Sequence, residues 1–99
     1  MTPDLIVSAR DMAETVKSLC ATVEEVARTP DLSYETAQKV FDRIDTMYEQ
    51  MESHIASLED QDADEDYIDL MRSLFDVIVA THDMAGDKML AILAERNDP

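Results

Sequence analysis

Tyr34 to Glu59 reads YETAQKVFDRIDTMYEQMESHIASLE. Its apolar and aromatic residues stand at Tyr34, Ala37, Phe41, Ile44, Tyr48, Met51, Ile55 and Leu58, in alternating steps of three and four. A strand facing a core repeats every second residue, and this stretch does not. A mean step of 3.5 is the a/d seam of a heptad, which predicts a helix lying nearly parallel to its neighbours and packed knobs-into-holes.

The same spacing continues on both sides. Upstream it runs through Leu5, Ala9, Met12, Val16, Leu19, Val23 and Val26; downstream through Ile68, Met71, Phe75, Ile78, His82, Ala85, Met89 and Ile92. Flanking apolar residues widen each seam: Ile6, Ala13, Cys20 and Ala27 on the first helix, Val40 and Met47 on the second, Leu74, Val79 and Leu93 on the third. A wide stripe suits a bundle core better than a two-stranded zipper. The tetrapeptide Thr-Pro-Asp-Leu occurs at residues 2–5 and again at 29–32. In both places it has helix-starting chemistry: Thr as cap, Pro at the first helical position, Asp at the positive helix end. Ser33 is an alternative cap for the second copy. Asp62 with Glu65 has capping-box spacing for the third helix. These signals predict helices over about 3–28, 31–59 and 63–96, joined by short turns. The expected fold is a single all-α domain, an up-down-up three-helix bundle forming a rod of roughly 40–50 Å.

The third helix carries one more row, Leu70, Val77, Met84 and Ala91, seven residues apart and about 100° from the seam. Two neighbouring helices cannot easily cover so wide an apolar arc. Leu70, Val77 and Met84 are therefore the expected apolar interface, for self-association or for a partner.

The chain has 99 residues, enough for one core. Acids outnumber bases 23 to 8, a net charge of −15. That sign excludes the electrostatic footprint of a protein that binds nucleic acid directly or docks on an anionic membrane. No apolar stretch approaches the roughly 20 residues of a membrane span, and Leu5-Ile6-Val7 is too short for a signal-peptide core. Cys20 is the only cysteine, so no intramolecular disulfide framework exists. A lone thiol without an export signal leads to an expected cytoplasmic location.

Four constellations carry chemistry on paper. Asp60, Asp62 and Asp64 resemble positions 1, 3 and 5 of an EF-hand calcium loop, but Glu65 and Met71 stand where the turn Gly and the bidentate Glu belong. His82 with Gly86 resembles the His-x-x-Lys-Gly motif of histidine phosphotransfer domains, with Ala85 in place of the lysine. That resemblance implies a phosphate-accepting imidazole at His82. Glu49/Glu52 and Asp66/Asp69 resemble the magnesium-binding carboxylates of all-α nucleotide pyrophosphohydrolases, whose first element is incomplete here. His54 has no His or Cys partner at zinc-ligand spacing and reads as a boundary residue with a wet edge. No metal, no cofactor and no catalytic residue is expected.

Charge placement is the strongest functional signal. Residues 1–30 hold five acids and three bases; residues 31–99 hold 18 acids and five bases, net −13. On the second helix Glu35, Asp42 and Glu49 form one heptad row, and Asp45 and Glu52 belong to the row beside it, with Asp31 and Glu59 at its ends. On the third, Asp62, Asp69, Asp76 and Asp83 repeat every seven residues. Like charges at this spacing oppose helix formation by a few tenths of a kcal/mol per pair, and a solvated helix normally avoids that cost by mixing in lysine. The expected function is non-enzymatic: an acidic module whose rows occupy a basic, nucleic-acid-binding surface of a partner protein. By size and charge it is analogous to the small nucleic-acid mimics encoded by phages and mobile elements, anti-CRISPR proteins among them. The alternatives are a helical adaptor or secretion-type chaperone acting through the apolar row of the third helix, and an enzyme using His82 or an acidic metal site.

Overall fold

The computed structural model describes residues 1–96. It is an all-α three-helix bundle: α1 spans Pro3–Arg28, α2 Tyr34–Asp60 and α3 Glu65–Arg96. Contacts between helices fix the directions. Ser8 meets Tyr67 near the start of α1 and α3, and Lys88 reaches Thr29 near their ends, so these two helices run parallel. Phe41 packs on His82 and Glu59 binds Arg72, so α2 runs antiparallel to both. The long dimension is 57 Å, more than the expected 40–50 Å, because the turns and the stagger of the helices add to the length of α3.

The seam residues lie inside or at the edge of the core. Ile44, Met71, Ile78, Val16 and Val23 are the largest fully buried side chains. Each contributes about 1.5–3 kcal/mol by leaving water. α3 packs against both other helices, most extensively against α2, while α1 and α2 touch least. Two buried residues stand outside the seams. Tyr67 turns inward and its hydroxyl pairs with Ser8 Oγ at 3.1 Å, and Thr81 satisfies its buried hydroxyl by donating to the Val77 carbonyl at 2.9 Å. Ile6, expected to widen the α1 seam, is 43% exposed. Ser8 is level with Tyr67, so Ile6 lies level with the start of α3, where little of that helix remains to cover it.

The helix starts correct two expectations. Thr2 caps α1 as expected, accepting from the Leu5 N–H at 3.3 Å, with Pro3 in the first turn. The second Thr-Pro-Asp-Leu does not begin a helix. Thr29 ends α1 in an extended conformation, as the residue before a proline prefers, and Asp31 takes a left-handed φ of 55°. Ser33 caps α2 instead, accepting from the Thr36 N–H at 3.2 Å. At the other turn Asp62 also lies outside the helices, with φ 51°. The Asp62 N–H donates to the Glu59 carbonyl and the Ala63 N–H to the Leu58 carbonyl, the two bonds of a Schellman stop. Asp64 then caps α3, its Oδ1 accepting from the N–H groups of Asp66 at 2.9 Å and Tyr67 at 3.3 Å. The Tyr67 bond, foremost, holds the Asp64 carboxyl below the usual carboxylate range; the nearby amino terminus and the Asp66 N–H add to this against an opposing desolvation.

Candidate functional site

The heptad positions, together with the contacts of His82 and Arg72 with α2, place the acidic rows. His82 sits at a core position of α3, stacked between Phe41 and Tyr48 with ring centroids 5.0 Å from each, and its Nε2–H donates to Asp45 Oδ1 at 2.9 Å. Arg72 reaches Glu59 on α2 at 3.0 Å and Asp69 on its own helix at 3.4 Å. The row of Asp45, Glu52 and Glu59 therefore borders α3, on the side of the bundle turned away from α1. The row of Asp69, Asp76 and Asp83 borders the same furrow from the other helix, since Arg72 spans the two. Glu35, Asp42 and Glu49 lie one step further out on α2.

The antiparallel register sets these acids opposite one another. Asp45 faces His82 and Glu59 faces Arg72, so Asp42 and Asp45 lie level with Asp83, and Glu49 and Glu52 level with Asp76. Glu35, Asp42, Glu49, Glu52, Asp69, Asp76 and Asp83 are all exposed; Asp45 is half-buried by its bond to His82. Asp62 is exposed but lies in the turn, so it does not extend the helical row of Asp69 as its spacing suggested. Near this turn a polar depression of about 330 Å³ is lined by Glu59, Asp62, Glu65, Asp69 and Arg72. Among the described residues Arg72 is the one guanidinium on the face. Lys39 adjoins the outer row at Glu35 and Asp42, Arg43 turns toward α1 and lines a depression with Leu19, Lys88 donates to the Thr29 carbonyl at 3.0 Å, and Arg96 lies over the Tyr34 ring. The result is a predominantly acidic face across α2 and α3, interrupted at Arg72.

The other constellations fare differently. Asp64 is committed to capping α3, and among the described residues no group of three or more His, Cys, Asp or Glu side chains converges as a metal site would need. The Nε2 of His82 is engaged by Asp45. His54 does not show the expected wet edge: its Nε2 is buried without a hydrogen-bond partner, and the ring stands edge-on to Tyr67 with centroids 6.3 Å apart. Cys20 is buried among the core residues.

A second face opens between α1 and α3. Leu70, Val77 and Met84 are 42%, 48% and 40% exposed. Val77 lines a groove of about 420 Å³ together with Ala13, Val16, Lys17, Cys20, Glu24 and Leu74. Acids dominate the α2/α3 side and apolar surface dominates the α1/α3 side, so α3 divides two chemically different faces. No described helix is long and apolar enough to cross a membrane. No family model, no curated protein and no solved structure matches this chain.

Proposed function

We propose that the protein is a non-enzymatic binding module whose α2/α3 face occupies a basic, nucleic-acid-binding surface of a partner protein. The observation that carries this reading is the juxtaposition of three acidic rows on one face with a single arginine among them. A net charge of −15 along 57 Å is about one charge per 3.8 Å, close to the roughly 3.4 Å per charge of a single nucleic-acid strand. Such a field steers a basic partner toward the face over distances beyond direct contact. All the helical carboxylates of these rows except Asp45, which is bonded to His82, are exposed, so mutagenesis can alter them without disturbing the fold.

The test is a quadruple reversal, Asp42→Lys, Glu49→Lys, Asp69→Lys and Asp76→Lys. The helical fold should survive, because all four residues are exposed. Wild-type protein immobilised on beads should capture a basic protein from host extract at physiological salt and release it as salt rises and the Debye length falls from about 8 Å toward 3 Å. The purified partner, once saturated, should lose its own nucleic-acid binding. The variant should bind that partner far more weakly, chiefly through slower association. Equal binding by the variant, or a saturated partner that still holds nucleic acid, would sink this function.

A further inference from the structure

We infer that the α1/α3 face is covered by a second copy of this chain, related by a two-fold axis that lies in the interface, crosses the helices, and passes at the level of Val77 and Lys17. The row Leu70, Val77, Met84 is symmetric about Val77. Turned end over end about that point, Leu70 meets Met84 of the second copy twice and Val77 meets itself. The Ser8–Tyr67 and Thr29–Lys88 contacts both join residues 59 positions apart, which sets Lys17 level with Val77 to within one residue. On α1, Arg10 and Glu24 lie seven residues either side of Lys17 on the same heptad row. The operation that brings apolar row onto apolar row therefore brings Arg10 onto Glu24 of the second copy, in two equivalent pairs. Arg10 and Glu24 are exposed and make no ion pair among the described residues. A surface that is complementary to itself in both shape and charge under one rotation is what a two-fold dimer requires.

The alternative rotation, with the axis along the helices, sets the apolar row over Arg10 and Lys17 of the other copy and desolvates both cations. The crossing axis avoids this. Its remaining like-charge approaches are Lys17 with itself beside the axis, where each long side chain carries its ammonium out to water, and Asp66 with Asp87 of the second copy at the rim, where solvent screens them. Area is sufficient: about 23 residues of two helices, each roughly 10 Å wide and rising 1.5 Å per residue, offer about 700 Å², near the ~800 Å² per partner of a stable interface. Because the axis crosses the helices, α3 lies beside α3 of the second copy and both acidic faces open on the same side. Two copies place twice the charge along the same length, about one per 1.9 Å against ~1.7 Å for duplex DNA. The association does not depend on the function proposed above, and its test uses this chain alone.

Sedimentation equilibrium and light scattering of the full chain should give twice the 11.2 kDa protomer mass, more tightly at high salt because the two copies repel through their net charge. Val77→Lys should give a monomer with unchanged helix content. Arg10→Glu and Glu24→Arg should each weaken association about tenfold, since each turns two attractive pairs repulsive. The combination should restore it. Glu24→Arg is the sharper of the two, because it lowers the net charge and would strengthen any association limited only by repulsion. Val77→Cys should crosslink to itself under oxidation, while Leu70→Cys should do so only when combined with Met84→Cys. A monomeric wild-type chain, a dimer indifferent to Val77→Lys, or charge swaps that fail to compensate would overturn the inference and leave the row to a foreign helix.

Discussion

Asp62→Gly should stabilise the bundle by about 0.5–1 kcal/mol, and the components can be separated. Asp62 occupies the residue after the C-cap of α2 with φ 51°, closed by the two backbone bonds from Asp62 to Glu59 and from Ala63 to Leu58. A left-handed conformation costs an ordinary L-residue about 1–2 kcal/mol; aspartate tolerates it better, so the strain here is nearer the lower figure. Its carboxylate also sits at the negative end of α2, an unfavourable placement worth about 0.3–1 kcal/mol. Glycine removes both and gives back about 0.4–1 kcal/mol through the greater freedom of the unfolded chain. For a domain of this size the net gain corresponds to a rise of roughly 2–8 °C in Tm. Asp62→Asn removes the charge and keeps a side chain suited to the left-handed region, so it should recover only the electrostatic part. Thermal unfolding followed by circular dichroism, checked by urea titration, ranks the three proteins. An Asp62→Gly variant that melts at or below the wild type while Asp62→Asn melts higher would refute the backbone account.

Two further outcomes follow from particular hydrogen bonds. The Asp64 carboxyl is held below its ordinary range in the folded state, chiefly by the Tyr67 N–H. A depressed folded value means the contribution is present above the unfolded value of about 4 and is lost as pH falls through the folded one. Asp64→Asn should therefore flatten the stability curve below about pH 4, read by urea unfolding at stepped pH, and an unchanged acid limb would dismiss the cap as a source of acid sensitivity. At the His82–Asp45 bond, Asp45→Ala should cost about 0.5–1.5 kcal/mol in the wild type and almost nothing in a His82→Phe background, which keeps the stacking on Phe41 and Tyr48. Equal costs in the two backgrounds would show that the bond contributes no coupling.

The helices and their inward faces were legible because each seam is set by spacing within one segment. Val16, Ile44, Met71 and Ile78 had to point inward wherever the partners lay. Residues beside the seam were legible in part: Cys20 and Val40 are buried as expected, but the full extent of each flank depends on which neighbour lies there. Tyr67 and Thr81 are buried on the side of α3 that meets α1, and Ile6 is left open where α3 begins. The caps were legible in kind, and at Thr2 also in position, while the cap of α3 lies two residues beyond the expected one. Asp62 and Asp64 are both good capping residues two positions apart, and the choice follows from how α2 stops: its two closing bonds use Asp62 in the left-handed region and leave Asp64 to start α3. For the acidic rows, the heptad gave each row but not their meeting. That requires knowing which edge of α2 lies against α3, information carried by Arg72 and His82, two residues whose partners lie 13 and 37 positions away.

Because α1 and α2 touch so little, the bundle has an internal hierarchy of opening. The α2–α3 hairpin holds its own seam, the His82–Asp45 bond and the Arg72–Glu59 pair without help from α1. α1 is fastened mainly to α3, by packing in the shared core and by the Ser8–Tyr67 bond and the Lys88–Thr29 bond. The least costly excursion from the native state is therefore detachment of α1 from a hairpin that stays helical, with amide protons of α1 exchanging before those of α3. Such an excursion strips away half of the α1/α3 face while leaving every carboxylate of the acidic face in place, so the two surfaces of this small protein are built with different mechanical endurance.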